Sequence, residues 1–247
     1  METSSNQKTY ALLAGPANRK RVLALEQSGA KIFQFAPLEI RPLNVAANSA
    51  IIKKNLNRFD WIIFPDVYTV DYFLEILNEN EIDLFELDAL QVVALGESVA
   101  DRLRFVQLHA DIIPHTVKIE IVLTALIDYL GKENLAGLNF LFPRETLFNS
   151  ELKDKLREAG ADVTEILIYQ AEISEKNISA NLKALLKGGA VDEFIVTSAE
   201  DVIALKHHLS TENLAEALSE VKISGVDEVS MQTLRENDLR PAFFHLK

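Results

Sequence analysis

The sequence predicts an α/β protein with two parallel-sheet domains, and three observations carry the prediction. Short apolar runs that read as strands alternate with helical patterns along the whole chain. Several of those runs end in a polar turn and pass straight into a helix, as Thr197-Ser198 does after residues 194–196. Two extended segments, 38–43 and 163–172, interrupt the alternation, so that the chain can cross out of one domain and back again.

Residues 10–13 form an apolar run that ends at Gly15-Pro16, and Val22, Leu23 and Leu25 follow at helical spacing up to Gly29. Residues 32–35 resume an extended pattern. Pro37 and Pro42 bracket the first crossing segment, because proline blocks a helix there and restricts the residue before it. A helix is expected at 47–56, a strand at 61–64 and a helix at 70–77. The continuous apolar run 90–95 leads through Gly96-Glu97-Ser98 into a helical pattern carried by Val99, Ala100 and Leu103. A short strand at 109–113 stops at Pro114. A helix at 119–130, a strand at 137–142 and an amphipathic helix at 147–159 closed by Gly160 complete this half.

After the second crossing segment come a helix at 178–186, the strand 194–196, and helices at 201–209 and 214–218. A strand near 221–226, a helix at 230–237 and a strand at 242–246 finish the chain. Residues 192–202 and 59–70 share one layout at matching places in the two halves, which makes the halves look like related domains.

Composition narrows the function. With 247 residues, 48% of them hydrophobic, the chain can bury the cores of two modest domains. A net charge of -12, without a basic patch large enough to neutralise phosphates, argues against a surface that wraps nucleic acid or holds anionic membranes. The absence of cysteine excludes disulfides, thiolate metal sites and a cysteine nucleophile. Residues 1–8 lack the order of a signal peptide, and no apolar stretch reaches the roughly 18 residues of a membrane span, so a soluble cytoplasmic protein is expected.

Oxygen-binding chemistry is expected where strands run into helices. The first turn of a helix has N–H groups without partners and carries the positive end of the dipole. Thr197 and Ser198 add hydroxyls at such a junction, although both residue types also serve simply as helix caps. Gly96-Glu97-Ser98 offers backbone donors, Ser230 is a cap or a ligand, and Arg144 directly after a strand can pair with a carboxylate. Arg19, Lys20 and Arg21 are either a solvated face or local cations for an anionic ligand. The neighbours His207 and His208 point apart on a helix and make a poor chelate, so a surface pair is expected. Gly188-Gly189 leads into a strand and cradles no phosphate, and Gly-x-Ser-x-Gly is missing.

The order and spacing of several short motifs resemble the uroporphyrinogen-III synthase family over nearly the whole chain. They are Leu12-Leu13-Ala14-Gly15-Pro16, residues 30–40, residues 59–70, the run from Val93 to Ala100, "FLFPRE" ending at Glu145, "LREAGADVTEILIYQAE" ending at Glu172, "FIVTSAEDV" ending at Val202, and "VSMQTLREND" ending at Asp238. The resemblance implies two flavodoxin-like domains joined by a two-stranded linker. Residues 1–37 with 173–247 would form one domain, 44–162 the other, and 38–43 with 163–172 the paired linkers.

It also implies a monomeric lyase of heme biosynthesis. Such an enzyme needs no cofactor: it dehydrates hydroxymethylbilane and closes it to uroporphyrinogen III with inversion of ring D. Tyr169 would face the cleft and could protonate the departing hydroxyl. Thr197, Ser198, Ser230, Gly96, Glu97, Ser98, Arg144 and Arg19 would bind the substrate's carboxylates and polar groups.

The sequence departs from the family pattern chiefly in its first half and again in its last motif. Ala14-Gly15 stands where the family has Thr-Arg, Pro65-Asp66 replaces a Thr-Ser pair, Val99 replaces a threonine, and only Ser230 keeps a hydroxyl in the last motif. A non-catalytic relative that binds a ligand or a protein partner in the same cleft is the alternative expectation.

Overall fold

The computed structural model describes residues 7–15, 18–43, 46–131, 135–146, 151–173 and 182–245. Pro16, the first residues of the expected helices at 147 and 178, and Leu246 fall outside them. The chain opens with β1 (Thr9–Leu13), α1 (Arg19–Gln27), β2 (Lys31–Phe35) and β3 (Leu38–Pro42). It continues with α2 (Ala46–Asn55), β4 (Trp61–Phe64), α3 (Val67–Glu79), β5 (Gln91–Ala94), α4 (Glu97–Phe105), α5 (Ile119–Leu130), β6 (Asn139–Glu145), α6 (Glu151–Glu158) and β7 (Asp162–Ile173). The remainder is α7 (Leu182–Lys187), β8 (Glu193–Val196), α8 (Ala199–Leu209), α9 (Leu214–Ala217), β9 (Lys222–Gly225), α10 (Glu228–Glu236) and β10 (Ala242–Phe243).

Two compact units result, Met1–Glu39 with Glu172–Lys247, and Ile40–Ala171. The first has the strand order β2-β1-β8-β9-β10, with every described pairing parallel. The second has β5-β4-β6-β7-β3. In the first, β1 has β2 on one side and β8, β9 and β10 on the other; in the second, β4 has β5 on one side and β6 and β7 on the other. This is the 2-1-3-4 order of flavodoxin-like folds. The fifth place in the second sheet goes to β3, the first crossing segment, whose neighbour is β7, the second; Leu43 N–H donates to the Ile168 carbonyl at 2.8 Å just beyond β3.

Both faces of each sheet are covered, which is why the strands read as unbroken apolar runs. In the first unit, Phe194 and Val196 of β8 join a core with Phe35, Leu205 and Leu234, while Ile195 between them packs on the opposite face with Leu12, Val22 and Leu25. In the second, Trp61, Ile63, Phe140 and Val163 pack with Val122 and Leu126 of α5, and Phe64 meets Phe73 of α3 edge to face. The expected strand at 109–113 is reduced to a single parallel bridge between Ile112 and Val93.

Polar ties lock the opposite, amino ends of the strands. The buried carboxylate of Glu193 accepts from Lys8, Lys222 and Ser224 in the first unit. Asp60 accepts from the backbone of Asn139 in the second. With these ends closed, the carboxyl ends are left for function.

Candidate active site

In doubly wound sheets a ligand lies outside the carboxyl ends of the strands, at the point where strand order reverses. That point falls between β1 and β8 in the first unit and between β4 and β6 in the second. Thr197-Ser198 follows β8, Pro65-Asp66 follows β4, and Glu145 closes β6.

At the end of β8, Ser198 is the N-cap of α8 in extended backbone geometry, but its side chain does not cap the helix backbone. Asp201, one turn on and almost wholly buried, organises the junction instead. It accepts from Thr197 N–H at 2.7 Å and Thr197 Oγ1 at 2.8 Å, with Ser198 Oγ at 3.4 Å. Burial raises its carboxyl above the ordinary aspartate range. Because an ionised carboxylate only accepts, the Thr197 hydroxyl donates inward and keeps acceptor lone pairs for a ligand. Both Thr197 and Ser198 are partly exposed.

The junction after β4 carries the same parts in reverse order. Asp66 is the N-cap of α3, accepting from Thr69 N–H at 2.7 Å and Thr69 Oγ1 at 2.9 Å. This cap starts α3 at Val67, three residues before the apolar periodicity does. Asp66 also accepts from the Tyr169 hydroxyl at 2.9 Å. Burial outweighs these donors, and with Glu145 close by it pushes the Asp66 carboxyl up to about 6.

Tyr169 reaches Asp66 because the β6–β7 register slips by one residue. Arg144 pairs with Leu167 but Glu145 pairs with Tyr169, so Ile168 is the extra residue of a bulge. The ring is completely buried, stacked on Tyr72 and edge-on to Tyr68. Burial, reinforced by Asp66 and Glu145, lifts its phenol well above the ordinary value, so it stays protonated. Tyr169, expected to face the substrate, directs its hydroxyl to Asp66.

Two further expected site residues have partners inside the protein. Arg144 finds its carboxylate inside the protein: Nε donates to Glu165 at 2.5 Å, Nη1 to the Glu145 carbonyl at 2.7 Å, and Lys153 holds the other Glu165 oxygen at 2.8 Å. These contacts pull the Glu165 carboxyl below the ordinary range despite partial burial. Ser230 is completely buried in the capping box of α10. Its Oγ accepts from Val226 and Asp227 N–H at 2.9 and 3.1 Å and bonds Asp227 Oδ1 at 2.8 Å, which commits the hydroxyl to the helix start.

Gly96 caps α4 with φ of 104°, a conformation open to glycine, and the partly exposed Glu97 pairs with Arg104 at 2.6 Å. Ser98 is partly exposed in the first turn of α4. Arg19 is exposed as the first residue of α1 and forms no ion pair among the described residues; Arg21 bonds Asn18 at 2.6 Å. His207 and His208 are buried rather than a surface pair, with His208 Nε2 2.8 Å from the Ala36 carbonyl. Among the described residues no group of three His, Asp or Glu side chains could hold a metal.

Asp66, Asp201 and Asp227 are the groups that sequence reasoning passed over. Their signal was present: Asp66/Thr69, Ser198/Asp201 and Asp227/Ser230 are each three residues apart at a helix start, the spacing of a capping box.

Two doubly wound units with polar groups gathered at their strand-order reversals define an α/β protein of the flavodoxin-like class. A family model described as uroporphyrinogen-III synthase HemD matches residues 20–244. A uroporphyrinogen-III synthase of Chlorobaculum parvum is 23% identical over 228 residues, 90% of this chain and 88% of that one. Two solved structures of the Thermus thermophilus uroporphyrinogen III synthase share the fold. One has a TM-score of 0.62 at 19% identity, covering 95% of this chain and 92% of that one. The other has a TM-score of 0.61 at 20% identity, covering 96% and 91%. The chain belongs to the uroporphyrinogen-III synthase family, the hydro-lyases that close the tetrapyrrole ring in heme biosynthesis. The comparisons do not favour the alternative of a non-catalytic relative.

Proposed function

We propose that the chain converts hydroxymethylbilane to uroporphyrinogen III, dehydrating and closing it with inversion of ring D and without a cofactor. The family match over residues 20–244 carries this reading. The chemistry asks mainly for positioning, since the bilane also closes spontaneously without inversion. Holding reacting carbons in one pose can contribute several kcal/mol on the scale of oriented intramolecular reactions.

In this reading the acceptor lone pairs of Thr197 and Ser198 receive pyrrole N–H groups, because their own protons point toward Asp201. The start of α4 at Gly96, Glu97 and Ser98 and the exposed Arg19 take substrate carboxylates. Tyr169 contributes through its bond to Asp66, while Ser230 fixes the start of α10 and Arg144 the end of β6. We place the protein in the cytoplasm as a monomer; no described helix is long and apolar enough to cross a membrane.

A coupled assay with freshly made hydroxymethylbilane tests the reading. The type III isomer should form faster than spontaneous closure. Only the uninverted type I isomer, at the spontaneous rate, would refute it.

A further inference from the structure

Resting on that reading, we propose that Asp66 is the catalytic acid of this chain, protonating the departing hydroxyl of the bilane, and that Tyr169 is a positioning residue behind it. Three features of the geometry point to Asp66. It follows β4 where strand order reverses, with Glu145 closing β6 on the other side of that point, which is where the fold directs a ligand. As a residue it is partly exposed at the end of β4, whereas Tyr169 is completely buried behind it, so of the two Asp66 lies nearer a ligand. Its orientation is fixed from two sides, by Thr69 N–H and Oγ1 on α3 and by the Tyr169 hydroxyl on β7.

The charged surroundings suit a proton donor. Glu145 on β6 is the nearby anion that disfavours ionisation of Asp66, and Tyr169 on β7 stays neutral. The cation next to Glu145, Arg144, is directed to Glu165 and to the Glu145 carbonyl. Burial and Glu145 together hold the carboxyl at about 6, near the optimum for an acid working in neutral solution.

The step balances without a co-reactant. The Asp66 carboxyl gives its proton to the hydroxyl, the C–O bond breaks with its electron pair on oxygen, and water leaves. The pyrrole nitrogen lone pair delocalises to form the azafulvene cation. After ring closure and rearrangement, the proton lost from the new macrocycle returns to the Asp66 carboxylate, so that one water is the only net release.

The test is the pH dependence of type III isomer formation in the wild type, Asp66→Asn and Tyr169→Phe. Wild-type kcat should fall as pH rises through about 6, as the acid form is lost. Asp66→Asn should lower kcat on the order of 10²-fold or more, with little change in KM, and abolish that limb. Tyr169→Phe removes a donor to the ionised carboxyl, so the limb should move to higher pH while activity remains; this arm decides the matter if Asp66→Asn does not fold. Wild-type kcat and an unchanged limb in Asp66→Asn, or an unmoved limb in Tyr169→Phe, would overturn the assignment. Because the wild type must first yield the type III isomer, a failure of the overall reading is seen separately.

Discussion

Replacing Asp66 by asparagine should make the protein more stable above neutral pH while it impairs the reaction, and the size of the effect follows from the carboxyl's surroundings. The folded carboxyl ionises at about 6 against an ordinary value of 3.8. At about 1.4 kcal/mol per pH unit, forcing it to ionise in the fold costs about 3 kcal/mol at pH 8. The sign follows from a raised folded value: this group's favourable contribution is complete below 3.8 and is lost as pH rises through about 6. Asparagine does not ionise. One of its two acceptor positions becomes an amide N–H, which disturbs the Thr69 or Tyr169 contacts and costs about 1 kcal/mol at every pH. Asp66→Asn should therefore be more stable than wild type by about 2 kcal/mol at pH 8 and slightly less stable at pH 4. Urea unfolding at the two pH values measures both differences. Parallel stability–pH curves for the two proteins would refute the reasoning, because they would mean that the carboxyl ionises no differently in the fold. A residue that lowers stability where the protein works is a familiar mark of an active site.

Two other substitutions probe the start of α10. A Cβ at position 225 would meet Met231 N, Met231 Cγ and Ser230 Oγ, each at 2.9 Å, so Gly225→Ala should destabilise by about 1–3 kcal/mol, read as a lower thermal midpoint. Ser230→Ala strips the acceptor from Val226 and Asp227 N–H and should cost about 1–2 kcal/mol by urea unfolding; with the hydroxyl committed to the cap, KM for the bilane should not change.

Much of the architecture was legible because buried parallel strands are short, apolar and followed by polar turns. β4, β5 and β8 each announce themselves in this way. The three-ten turns at Leu56–Arg58 and Leu84–Ala89 left no periodic signal, and the strand expected at 109–113 makes only one bridge because it has no partner beyond β5 in the described sheet.

The candidate site was only half legible. Thr197 and Ser198 could be placed from the β8–α8 junction alone, since cap and strand end are neighbours in sequence. Asp66 read as the loss of two hydroxyls. Its meaning depends on Tyr169, 103 residues away, and on a one-residue slip between β6 and β7 that no local pattern reveals. The partner of Arg144 was hidden for a similar reason: Glu165, across the β6–β7 pair, is invisible as such until the register is known.

The placement of β1 has a consequence for how the chain folds as it is made. β1 is an interior strand of its sheet, paired with β2 on one side and β8 on the other, and Thr9 N–H bonds Asp192, 183 residues on. At the usual pace of translation roughly 10–40 s pass between those residues. The unit Ile40–Ala171 is contiguous and can close within that interval, while β1 and β2 wait with one flank of β1 unpaired. Newly made chains are therefore most exposed to wrong pairing at the amino-terminal strands, and completion of the first unit is the last event in the protein's assembly.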